Sequence, residues 1–94
     1  EALMRSRYSA YVLGLDAYLL DTWHPTTRPR GIEPQPAGLR WLGLELRRCT
    51  QQGDGHATVE FIARSKLVGR AHRLHETSRF ERVDNRWLYV EALG

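Results

Sequence analysis

Cysteine is nearly missing from this chain: Cys49 stands alone among 94 residues. That excludes an internal disulfide framework and any multi-cysteine metal site. A reducing, cytoplasmic setting is the expectation. Lysine is as scarce, with Lys66 the one lysine beside thirteen arginines. No apolar run approaches the roughly 18 residues of a membrane span. No signal-peptide pattern opens the chain. A glycine-rich phosphate loop, a G-x-S-x-G elbow and an H-E-x-x-H zinc motif are all missing. No cofactor and no metal site is therefore expected. His72 and His75, three apart on a strand, fall on opposite faces and make no metal pair.

What is present suits one small domain over residues 1–94. Hydrophobic residues make up 41% of the chain, enough to exclude wholesale disorder. The net charge is +3. The arginines are scattered, no run exceeds two, and Glu and Asp interrupt them. That favours a solvated, salt-bridged surface over a nucleic-acid-binding one.

Hydrophobic periodicity divides the chain. Met4, Tyr8, Tyr11, Val12 and Leu15 follow one helical face, which predicts a helix over 1–13 with Arg7 off the stripe. Gly14 suits its end. Asp16 is placed to cap a second helix, Ala17 to Trp23, which His24-Pro25 stops. Residues 25–38 hold all four prolines and form a connector. From Leu39 the period becomes two. Leu42, Leu44 and Leu46 share one strand face; Trp41, Glu45 and Arg47 share the other. Further strands are expected at about 56–67, 70–82 and 87–92, with turns at 51–55, Gly69 and Asp84-Asn85. Short turns imply antiparallel neighbours, so the layout is α+β with helices on one sheet face.

The third strand breaks its own pattern. Leu74 and Phe80 bracket Glu76 and Ser78 on the core phase. A buried carboxylate needs a partner or a wet cavity. Arg5, Tyr8, His24 and Arg64 are the candidate partners. Trp23-His24 closes the second helix near the sheet, and a histidine there is able to act as acid or base. Cys49 has no base beside it.

Two blocks are distinctive: Arg5-Ser6-Arg7-Tyr8 and Thr22-Trp23-His24-Pro25. With Val59-Glu60-Phe61, the run Leu74 to Phe80, and Arg86 to Val90, the chain resembles the bacterial YchJ-like family over nearly its whole length. The resemblance implies a nuclear transport factor 2-like (cystatin-like) fold: N-terminal helices in the concave face of a curved antiparallel sheet, often with a pocket between. Many relatives carry a cysteine-rich SEC-C zinc motif ahead of this domain; none lies in these residues. The resemblance implies no established reaction.

Two functional expectations emerge. The first is a binding or accessory domain whose polar pocket, built from Arg5, Tyr8, Trp23, His24, Glu76 and Ser78, takes a small ligand or partner segment. The second is an acid–base enzyme with Glu76 as base and Tyr8, His24 or Arg5 polarising the substrate. Nucleic-acid binding through arginine is a third and weaker reading. A homodimer is also expected, formed through Trp41 and Trp87 if both face away from the helices.

Overall fold

A computed structural model describes all of residues 1–94. Helix α1 spans Ala2–Leu13. Gly14 ends it with φ 71°, its N–H donating to Ala10 O. Glycine meets that left-handed geometry without a Cβ clash. Helix α2 is short, Asp16–Asp21. Asp16 is its first helical residue and makes no side-chain cap; Leu15 holds the N-cap position.

The second helix stops before His24-Pro25 for a tertiary reason. Thr22–His24 runs beside the last strand. Tyr89 N–H donates to Thr22 O at 2.8 Å and His24 N–H donates to Tyr89 O at 2.7 Å. Trp23 and Tyr89 thereby form a parallel bridge. Trp23 is extended rather than helical, because sheet hydrogen bonds take the groups another helical turn would need.

The sheet has four strands: β1 Arg40–Gln52, β2 His56–Leu67, β3 Arg70–Val83 and β4 Arg86–Ala92. They form one antiparallel meander in the order β1-β2-β3-β4. The α+β arrangement, a curved sheet with the N-terminal helices on one face, is the one expected. Residues 25–38 contain no helix or strand.

Two sequence expectations fail at the helix–sheet interface. The buried face of α1 carries Arg7 and Ala10, whereas Val12 and Leu15 are about half exposed at 46% and 49%. The helix is thus turned from its apolar stripe, with Met4, Tyr8 and Tyr11 half-buried at its flank. In β1, register shifts lie between Trp41 and Gly43 and between Leu46 and Arg48. Each inserts one residue and flips the remainder of the strand to the other face. Trp41 therefore joins Leu44 and Leu46 on the helix face, and Leu42 is expelled, 56% exposed.

The core is Ala10, Leu19, Val59, Phe61, Ala63 and Phe80, with Ile62, Leu88 and Val90 also buried. Phe61 and Ile62 are neighbours on an extended strand, so they point to opposite faces. Ile62 has no accessible surface. Its strand partners are Glu45 and His75. The ion pairs Arg64–Glu45 (3.3 Å) and His75–Glu60 (2.6 Å) flank it on that outer face.

Candidate functional site

A cavity of about 300 Å³ lies between α1 and the sheet. Met4, Arg7, Tyr8 and Tyr11 form its helical wall. Phe61, Ala63, Leu74, Glu76, Ser78 and Tyr89 form its floor, with Trp41 and Gln35 at one end. Residues paired across the strands share a side, so Ala63 with Leu74, Phe61 with Glu76 and Val59 with Ser78 all face the helices. The alternation of β3 therefore puts Glu76 and Ser78 on the covered face, as its pattern predicts.

The chemical centre of this wall is Arg7. It is 3% exposed. One terminal nitrogen, Nη1, donates to Leu19 O at 2.8 Å and to Thr22 Oγ1 at 2.6 Å. Its guanidinium carbon lies 5.0 Å from the Trp23 ring centre and 4.6 Å from that of Tyr89. Those rings supply cation–π attraction where water is excluded. No carboxylate comes within ion-pair distance of it. Burial pushes the Arg7 pKa down, and the nearby Tyr11, Tyr89 and Tyr18 hydroxyls partly offset this. Burial likewise pushes the Tyr89 phenol up; Tyr11 and Glu76 add to the rise and Arg7 opposes it.

Sequence reasoning missed Arg7 because helical periodicity sets a charged residue on the wet side. No local spacing rule reaches its partners, because Leu19 and Thr22 lie beyond the helix end at Gly14. Trp23 also buries its indole Nε1 with no acceptor, a cost the cation–π contact works against.

The expected site residues divide. Tyr8, Glu76 and Ser78 line the cavity together. Trp23 lies behind it, edge-on to Tyr89 at 5.0 Å. Arg5 is exposed and pairs with Glu1 at 3.5 Å. Arg64 is on the outer face with Glu45. His24 is also elsewhere: Nε2 is 3.5 Å from Glu81 Oε1, while Nδ1 accepts from the Thr26 backbone N–H at 3.2 Å. An N–H can only donate, so Nδ1 must be bare and Nε2 must hold the proton facing Glu81. Glu76 forms no ion pair with any of Arg5, His24 or Arg64. The contact expected between Glu76 and at least one of Arg5, Tyr8, His24 and Arg64 is not made: His24 is drawn with Thr22 to the β4 edge, Arg5 and Arg64 pair with other carboxylates, and Tyr8 shares the cavity with Glu76 without a hydrogen bond to it.

Trp41 and Trp87 do not face away from the helices. Trp41 packs edge-on to Tyr8 at 5.7 Å. Trp87 borders a second cavity, of about 430 Å³, beside the first turn of α1 with Val59 and Phe80. That cavity contains no buried charge; Glu1, its one ionisable carboxylate, is exposed. Five of the thirteen arginines, Arg5, Arg47, Arg64, Arg79 and Arg86, pair with carboxylates. Arg79 bridges Glu81 at 2.6 Å and Glu91 at 2.8 Å, and Arg86 meets Asp21 at 2.9 Å. No group of three or more His, Cys, Asp or Glu is placed to hold a metal. No helix is long and apolar enough to cross a membrane.

Comparison with known proteins places this architecture. A family model described as "YchJ, middle NTF2-like domain" matches residues 1–92. A UPF0225 protein of Methylibium petroleiphilum is 63% identical over 92 residues, covering 98% of this chain and 68% of its own. One from Bordetella pertussis is 58% identical, covering 98% and 69%. Among solved structures, a SEC-C motif-containing protein from Rhodopseudomonas palustris superposes with a TM-score of 0.84 at 33% identity, over 98% of this chain and 75% of that one.

Proposed function

The chain belongs to the YchJ middle-domain family of NTF2-like proteins, and from that premise we propose that it is a small-molecule binding module whose ligand occupies the cavity over Arg7. One observation carries the reading. An arginine only 3% exposed, without a carboxylate partner, contributes to the wall of a cavity otherwise rich in aromatic and aliphatic groups. Leu19 O, Thr22 Oγ1 and two aromatic rings hold Arg7 but supply no counter-ion, so an arginine in such a place is suited to receive an anionic group from outside the chain. Apolar walls with a few convergent polar groups are the usual make-up of a small-ligand site.

Of the residues expected to serve an acid–base enzyme, only Glu76 and Tyr8 line the cavity, since His24 and Arg5 are elsewhere. The binding reading needs no further group. A cytoplasmic setting fits it, with Cys49 free and exposed.

The test is a titration of the isotope-labelled protein with benzoate and with indole, following backbone amides and the Trp41 indole signal. Shifts should centre on Tyr8, Trp41, Glu76 and Tyr89. Ala63→Leu, which fills the floor, should weaken binding at least tenfold while the fold survives, since such a core change costs about 1–3 kcal/mol. Shifts absent from those residues, or unchanged in Ala63→Leu, would remove the proposal.

A further inference from the structure

We infer that the ligand of this cavity is a small organic zwitterion, with its carboxylate seated at Arg7 and its ammonium group at Glu76. The inference rests on the small-ligand reading above and sharpens it to a chemical class.

Two charges of opposite sign line one cavity and do not meet. Arg7 has no carboxylate within ion-pair reach, and Glu76 takes part in no ion pair or side-chain hydrogen bond. Both nevertheless border the same space. Outside the cavity Glu1, Asp21, Glu45, Glu60, Glu81 and Glu91 each contact a cationic side chain or histidine, and the acids that do not, Asp16, Glu33, Asp54 and Asp84, are all exposed, whereas Glu76 is half-buried. Arg7 is buried and Glu76 half-buried, and opposite charges so placed attract more strongly than in bulk water. Here each is held back by its backbone element, Arg7 by its bonds to Leu19 and Thr22, Glu76 by its place in the β2–β3 register. The cavity that both border has room for a third body.

The wall between the charges supports the same class. The Tyr89 hydroxyl is influenced by both, with Arg7 and Glu76 acting on it in opposite directions. Tyr8 and Trp41, packed edge to face at 5.7 Å, border the same cavity. Aromatic faces attract an ammonium group. A simple anion would satisfy Arg7 and be repelled by Glu76. A simple cation would suffer the converse at Arg7. Polyphosphates are disfavoured twice, by their charge against Glu76 and by a volume at the small end of the ligand-site range, roughly 300–1,000 Å³.

Three probes that share a phenyl ring separate the outcomes: phenylalanine, 3-phenylpropionate and phenethylamine, each titrated into the labelled protein. Phenylalanine should bind at least tenfold more tightly than either of the others. Glu76→Gln should cancel that advantage, bringing phenylalanine within about threefold of 3-phenylpropionate, and should leave 3-phenylpropionate unweakened. The amide spectrum of the variant reports whether it folds; if it does not, the ranking of the three probes on the wild-type protein decides alone. Binding of all three with equal strength, or of the anion more tightly than the zwitterion, would overturn the zwitterion assignment and leave the small-ligand reading standing. Failure of every probe to shift the cavity residues would overturn both.

Discussion

Arg7 and Tyr89 illustrate how single residues here depend on partners far away in sequence. Arg7 on α1 is held by Leu19 and Thr22 and lies over the rings of Trp23 and Tyr89. One side chain thus ties α1, α2, the extended Thr22–His24 segment and β4. Tyr89 carries the consequence that pH reveals. Its phenol keeps its proton to higher pH in the folded state, chiefly through burial. Between its ordinary value, about 10, and the raised folded one, the folded state binds more protons than the unfolded state. Stability contributed by the neutral phenol is present below about pH 10 and is lost as pH rises through the folded value. Chemical denaturation between pH 8 and 11 should therefore show wild type losing stability relative to Tyr89→Phe as the solution becomes alkaline. A difference that stays constant with pH would contradict this account.

At the scale of elements, turns and bulges decide which side chains meet. The β3–β4 turn uses Asp84 and Asn85 at φ 52° and 66°, residue types that tolerate the left-handed region. The β2–β3 turn places Val68 at φ 51° before Gly69 at φ 75°. A β-branched residue there is strained, and Val68 is 87% exposed, so packing does not compensate. Val68→Asn should raise stability by about 1 kcal/mol in a denaturant titration, with the sheet unchanged. The bulges of β1 act more widely. They put Trp41 against Tyr8 and turn Leu42 to solvent, so one inserted residue sets one end of the cavity.

Across the whole molecule the net charge is unevenly placed. On the outer sheet face Arg64 stands opposite Arg73, and Arg40 opposite Lys66. Like charges directly across a strand pair destabilise it. Glu45, between Arg64 and Arg47, offsets part of this. Arg73→Glu should then stabilise the protein by about 0.2–1 kcal/mol in low salt. The gain should shrink as added salt screens the exposed pair, which thermal melts at two ionic strengths would read. An unaltered melting temperature at low salt would show that the two arginines splay apart. The opposite face, covered by helices, holds the separated Arg7 and Glu76 charges. The two faces of the sheet thus differ in electrostatics as well as in exposure.

Local rules determined much of this protein in advance. Period-two alternation in β2 and β3, the Asp-Gly and Asp84-Asn85 turns, and Gly14 after the first helix define the element order without reference to any long-range contact. The same alternation placed Glu76 and Ser78 on the covered face, and those two assignments depend only on strand register. Those rules could not reach the features made by contacts between distant segments. Arg7 is inside because Thr22, Leu19 and two aromatic rings receive it, and helical periodicity carries no information about those partners. Trp23 is extended because Tyr89 offers sheet hydrogen bonds from the far end of the chain, against which a helical continuation competes and loses. His24 goes with that segment toward Glu81 instead of Glu76. Trp41 and Leu42 exchange faces because a bulge adds a residue without changing the local pattern of apolar types. Sequence periodicity specifies which faces are apolar; the partners that satisfy a buried charge, and the strand edge that captures a passing segment, exist only once the chain has folded.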